Sequence, residues 1–107
     1  MPAREWTRLL PVADCRRGCA RFVAVGDIEL AVFRLSGPDR FVVTPNSCPH
    51  AGGNLAAGEV ADGKVTCPWH HWEFDLASGQ CTLSEAVSLI RYETRIEDGV
   101  LYAKLPD

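Results

Sequence analysis

Apolar positions along this chain come in short runs, many of them alternating with polar residues, and helical periodicity is nearly absent. Gly, Pro, Asp and Asn separate the runs at close spacing, the punctuation of an all-β fold. Residues 6–10 are the first predicted strand, closed by Pro11, and Asp14-Cys15-Arg16-Arg17-Gly18 is a polar connection. Residues 20–25 and 28–35 flank Gly26-Asp27, a pair suited to a two-residue hairpin turn, so these two runs should pair. Both faces of 28–35 are apolar, with Ile28, Leu30 and Val32 on one and Ala31, Phe33 and Leu35 on the other. Such a strand belongs in the middle of its sheet.

Ser36-Gly37-Pro38-Asp39 is a turn by composition, and residues 41–43 form a short strand leading to Thr44-Pro45-Asn46. The stretch 46–58 is predicted as a tightly bent loop, in which Gly52-Gly53 permits close backbone approach. Residues 59–66 make a brief hairpin turning at Asp62-Gly63, followed by a strand over 73–76, a turn at Ala77-Ser78-Gly79-Gln80 and a return strand over 81–83. The stretch 84–89 has no clear pattern. Tyr92, Thr94 and Ile96 alternate with Glu93 and Arg95, Asp98-Gly99 is a strong hairpin signal, and residues 100–105 close the sheet.

Composition narrows the class. At 107 residues with 47% hydrophobic content, the chain suits one domain over 1–107 with a continuous core. Eleven Lys and Arg against fourteen Asp and Glu give a formal charge of −3. That leaves no basic field for a phosphate backbone, so nucleic acid is not an expected partner. Charged residues begin at Arg4 and Glu5, and no apolar run approaches the ~20 residues of a membrane helix. The expectation is a cytoplasmic protein without leader or anchor. The five cysteines are an odd number, which favours metal-bound thiolates in a reducing compartment over a complete disulfide set.

The chemistry concentrates in two stretches, Cys48-Pro49-His50 and Cys67-Pro68-Trp69-His70, separated by sixteen residues. Each offers one thiol and one imidazole, and the hairpin over 59–66 joins the two loops. Such a set could hold a zinc ion or an iron-sulfur cluster. For an iron-sulfur core, four thiolates leave the oxidised cluster negatively charged, whereas two thiolates and two neutral imidazoles leave it neutral and easier to reduce.

The spacing C-x-H, sixteen residues, C-x-x-H, followed by Phe74-Asp75 and Ser78-Gly79, resembles a Rieske iron-sulfur domain, and the resemblance extends over most of the chain. It implies a Rieske-type fold of small antiparallel sheets, with the two cluster-binding loops forming a subdomain over about residues 45–83. It implies one [2Fe-2S] cluster per chain, with Cys48 and Cys67 on the buried iron and His50 and His70 on the iron nearer the surface. Rieske domains of respiratory and photosynthetic complexes carry a further disulfide between the loops; the matching positions here are Gly53 and Trp69. That places the chain with lower-potential ferredoxins and oxygenase domains, near roughly −150 mV.

Only His71 remains once His50 and His70 are assigned, too few for the mononuclear iron site of oxygenase large subunits. The resemblance therefore implies a monomeric one-electron carrier without catalytic residues, taking electrons from a flavin-containing reductase and passing them to an oxygenase or similar redox enzyme. A permanently bound accessory subunit of a redox enzyme such as a nitrite reductase is the alternative, and a zinc-stabilised binding module a third. Where related ferredoxins usually have Gly after the second ligand histidine this chain has His71, and the stretch 81–86 lacks the proline of many members. Cys15, Cys19 and Cys81 are expected to be structural or incidental thiols, and Arg16, Arg17 and Arg21 a solvated face. Trp69 and Trp72 pack under a loop or serve docking.

Overall fold

Two Asp-Gly pairs fix two hairpins in the second half of the chain. Asp62 and Gly63 have φ of 53° and 74°, and Asp98 and Gly99 have 51° and 76°. Positive φ at both central residues is the turn whose twist matches paired strands, and Asp and Gly are among the residues that adopt it at least cost. The computed structural model describes residues 6–35, 40–46, 54–67, 72–82, 84 and 87–105. In order they form β1 (Thr7–Pro11), the 3-10 turn η1 (Val12–Asp14), β2 (Ala20–Val25), β3 (Ile28–Arg34), β4 (Phe41–Pro45) and the 3-10 turn η2 (Leu55–Ala57). There follow β5 (Glu59–Ala61), β6 (Lys64–Thr66), β7 (Glu73–Asp75), β8 (Glu93–Glu97) and β9 (Val100–Lys104).

All strand pairing is antiparallel, in three sheets of order β1-β9-β8, β2-β3-β4 and β5-β6-β7. The fold is the all-β arrangement of small sheets that the punctuation predicts. Val25 pairs with Ile28 across the Gly26-Asp27 turn, and β3 is central.

Its two apolar faces belong to two different cores. Ala31, Phe33 and Leu35 join Val42, Leu55, Val65, Cys67, Phe74, Leu76, Cys81 and Leu89. Leu30 and Val32 join Leu9, Leu10, Cys15, Phe41, Val43, Leu101 and Ala103. The middle sheet is therefore a shared wall, with β1-β9-β8 on one side and β5-β6-β7 on the other. Tyr92 stitches β8 to β4 by donating its N–H to Val43 O at 2.9 Å.

Two expectations change. Of the return strand expected over 81–83, Cys81 makes an isolated bridge to Phe74 and Thr82 belongs to no strand, while Leu83 lies outside the described residues. Asp75 N–H donates to Gln80 O and Thr82 N–H to Glu73 O, but Cys81 N–H turns away to Val87 O, and the Gln80 Nε2 takes Ser84 O at 2.9 Å. A side chain thus supplies the donor that a continuing strand would have used. The connection after η1 is not uniformly polar, since Cys15 is fully buried. Arg34 secures that loop by donating from Nη1 to Val12 O and Cys15 O at 3.2 and 3.0 Å, while its guanidinium lies over the Phe41 ring. Arg16, Arg17 and Arg21 are exposed, as expected. The turn expected at Ser36-Gly37-Pro38-Asp39 lies outside the described residues, although Leu35 N–H donates to Arg40 O at 2.8 Å on either side of it. Among the described residues no helix is long and apolar enough to cross a membrane.

Candidate metal centre

Cys67 follows β6 directly, at the end of the β6–β7 hairpin where the chain crosses from one strand to the other. Thr66 pairs with Glu73, and the Cys67 N–H donates to Trp72 O at 2.7 Å. That bond ties together the two described residues on either side of 68–71. Cys67 has no exposure and packs in the core that also holds Leu55, Phe74 and Leu76, with Trp72 partly buried against it. In such surroundings a free thiol behaves as a small apolar group, while a thiolate needs a cation to offset the loss of water.

The first ligand stretch leaves β4 through Asn46, which makes three backbone or side-chain bonds at the loop base. Its N–H donates to Glu29 O at 2.9 Å, its Nδ2 donates to Asn54 Oδ1 at 2.9 Å, and its Oδ1 accepts the Ala56 N–H at 2.7 Å. Asn46 and Asn54 thus face each other across the ends of 47–53. Beyond them η2 buries Leu55 completely and delivers Gly58, whose N–H donates to Leu55 O at 3.0 Å.

Gly58 joins the two loop bases. A Cβ built there would lie 2.4 Å from Thr66 O and 3.1 Å from both Leu55 O and Val65 Cγ2. Its φ of −73° and ψ of 163° suit any residue. Space alone calls for glycine, because the backbone leaving the first loop rests on the carbonyl that precedes Cys67.

Of the four ligands expected from the sequence, Cys67 is described. Cys48, His50, Gly53, Trp69, His70 and His71 lie outside the described residues. Among the described residues no three Cys, His, Asp or Glu side chains converge to hold a metal. Cys67 fits the part of a ligand to a buried metal, being an apolar-walled thiol at the start of the second ligand stretch. Cys81 is buried in the same core, as expected of a small packing residue. Sequence reasoning missed Asn46, Asn54 and Gly58. The available signal was an Asn at each end of the first loop, eight positions apart.

Comparison with known proteins agrees with the ligand spacing. The family model for the Rieske [2Fe-2S] domain matches residues 5–93. Ferredoxin CarAc of Metapseudomonas resinovorans is 29% identical over 99 residues, covering 91% of each chain. The structure of a complex of reduced oxygenase and oxidised ferredoxin in carbazole 1,9a-dioxygenase contains a chain that superposes with a TM-score of 0.82 at 27% identity, covering 94% of both. A Mycobacterium tuberculosis chain named as a nitrite reductase small subunit gives a TM-score of 0.80 at 25% identity over 92% of both. Other curated relatives are far longer: the chain spans 16% of cholesterol 7-desaturase from Hemicentrotus pulcherrimus and 11% of aminopyrrolnitrin oxygenase PrnD from Pseudomonas fluorescens.

Proposed function

The chain belongs to the Rieske [2Fe-2S] domain family, and from that premise we propose that it is a one-electron carrier serving an oxygenase or a similar redox enzyme. A bound [2Fe-2S] cluster supplies reversible uptake of one electron. In this reading Cys48 and Cys67 hold the buried iron, and His50 and His70 hold the iron nearer the surface. The protein's part is to place four ligands rigidly and keep water from the thiolates. Cys67 is fully buried in the core that holds Leu55 and Phe74, with Trp72 packed against that core, and the loop ends are held by the Cys67–Trp72 and Asn46–Asn54 bonds.

The observation that carries this reading is the correspondence with a ferredoxin over nearly the whole of both chains. The oxygenase partner is supported by the similar ferredoxin captured with its oxygenase, and a flavin-containing reductase is the proposed electron source. The test is the EPR spectrum of the dithionite-reduced protein, followed by reduction with NADH and a ferredoxin reductase. A rhombic signal with a low average g, developed by the reductase and discharged by an oxygenase, is expected. A colourless protein with zinc and no acid-labile sulfide would sink the reading.

A second reading, a bound redox subunit, is favoured by the resemblance to the nitrite reductase small subunit. Size exclusion of the native protein from its source separates the two: a carrier elutes alone, a subunit with its enzyme.

A further inference from the structure

The bond network around Asn46 reaches beyond loop closure. Its Oδ1 accepts the N–H of Ala56, the middle residue of η2, at 2.7 Å, and its own N–H is fixed to Glu29 O next to β4. One side chain therefore locks η2 to the point where the first ligand loop departs. The other end of η2 is locked too, because Gly58 rests against Thr66 O with no room for a Cβ, and Thr66 immediately precedes Cys67. The chain of contacts runs from the base of 47–53, through η2, to the base of 68–71.

We propose that Asn46 is a positioning residue for the metal centre: through its Oδ1 bond to Ala56 it sets η2 as a spacer that fixes the separation of the two ligand loops. The inference rests on the assignment of Cys48, His50, Cys67 and His70 as ligands. The acceptor oxygen is the essential atom, because Asn54 can turn its amide to donate when the partner offers only oxygens. Asn46→Asp keeps the acceptor and should retain the spacer, whereas Asn46→Ala leaves the Ala56 N–H without its partner and η2 free to shift.

The experiment compares holoprotein of the wild type, N46A, N46D and N54A. Three quantities are read: the rate of iron loss to a chelator, the g values and line widths of the reduced protein, and the urea midpoint of unfolding. N46A should lose iron about tenfold faster, in the range found for residues that orient metal ligands, with a broadened or shifted EPR spectrum. N46D should stay within about threefold of wild type with an unshifted spectrum, and N54A, which loses only the amide partner, should fall between them. A purely structural role would lower the urea midpoint but leave the g values of the folded protein unchanged, and would overturn the proposal. So would an N46D protein as leaky as N46A. If N46A does not fold, N46D against N54A decides by iron loss and g values: faster loss with shifted g values in N54A than in N46D is expected, and an N46D protein as leaky as N54A would overturn the proposal. Absence of a Rieske-type signal in the wild type would refute the ligand assignment instead, so the two failures are distinguishable.

Discussion

Replacing Gly58 with alanine adds one methyl group at the place where the two loop bases meet. The new Cβ would be 2.4 Å from Thr66 O, against the 3.4 Å at which ordinary van der Waals contact begins. The backbone must therefore open by roughly 1 Å, and the obstacle is a main-chain oxygen that cannot swing aside. Overpacking of this kind costs about 1–3 kcal/mol. Alanine also restricts the unfolded chain, which returns about 0.4–1 kcal/mol, since φ here is already compatible with it. The net loss should be about 1–2 kcal/mol, or a fall of about 1 M in the urea midpoint at an m value of about 1.5 kcal/mol/M. Circular dichroism in urea measures this, and EPR of the same preparation reports whether the Cys67 end has moved. Val65 Cγ2 also crowds the site at 3.1 Å, so Gly58→Ala should cost only partly less when introduced into Val65→Ala than into the wild type, the cost of Val65→Ala alone being subtracted. An unchanged midpoint in G58A, or a G58A substitution that costs nothing in the V65A background, would refute the steric reasoning.

Cys67→Ser should abolish the iron-sulfur absorbance, because a buried hydroxyl is a poor substitute for a thiolate; iron and sulfide analysis of the purified variant checks it. Burial, above all, pushes the Cys15 thiol above its ordinary 9.0, assisted by Cys19 and opposed by Arg34 and Arg21. The folded state thus keeps a proton that the unfolded chain releases, and this contribution is complete below pH 9.0 and lost as pH rises through the higher folded value. The wild-type urea midpoint should accordingly fall more steeply above pH 9 than that of Cys15→Ala, and parallel curves would contradict it. Cys19 is exposed and Cys15 is not, so a thiol reagent should label Cys19 in the native protein at least about a hundredfold faster, with mass spectrometry of timed samples as the measure. Leu55→Ala should cost about 2–5 kcal/mol by emptying a fully buried position beneath the first loop, measurable by the same urea titration.

Much of the scaffold was legible because its signals are local. The two Asp-Gly turns dictate their own backbone geometry, and the two-faced pattern from Ile28 to Leu35 states that both sides of that strand are covered. The pairing of β1 with β9 was not legible, since nothing in a strand names a partner some ninety residues away. The expected strand pairing does not continue past Cys81 into Thr82, where the Gln80 side chain competes for nearby carbonyls, which is decided by tertiary placement. At the site, thiol and imidazole spacing pointed to the cofactor class, whereas the parts played by Asn46 and Gly58 depend on where η2 packs and could not be inferred from spacing.

The shared wall has a consequence for how the molecule comes apart. Because β3 lends one face to each core, neither core can open without stripping apolar cover from the strand that supports the other. Partial unfolding confined to the half that contains Cys67 would expose Phe33 and Leu35 while gaining little chain entropy from β3, which the opposite sheet still holds. Strand β3 thereby couples the two cores, so that loosening one withdraws support from the other.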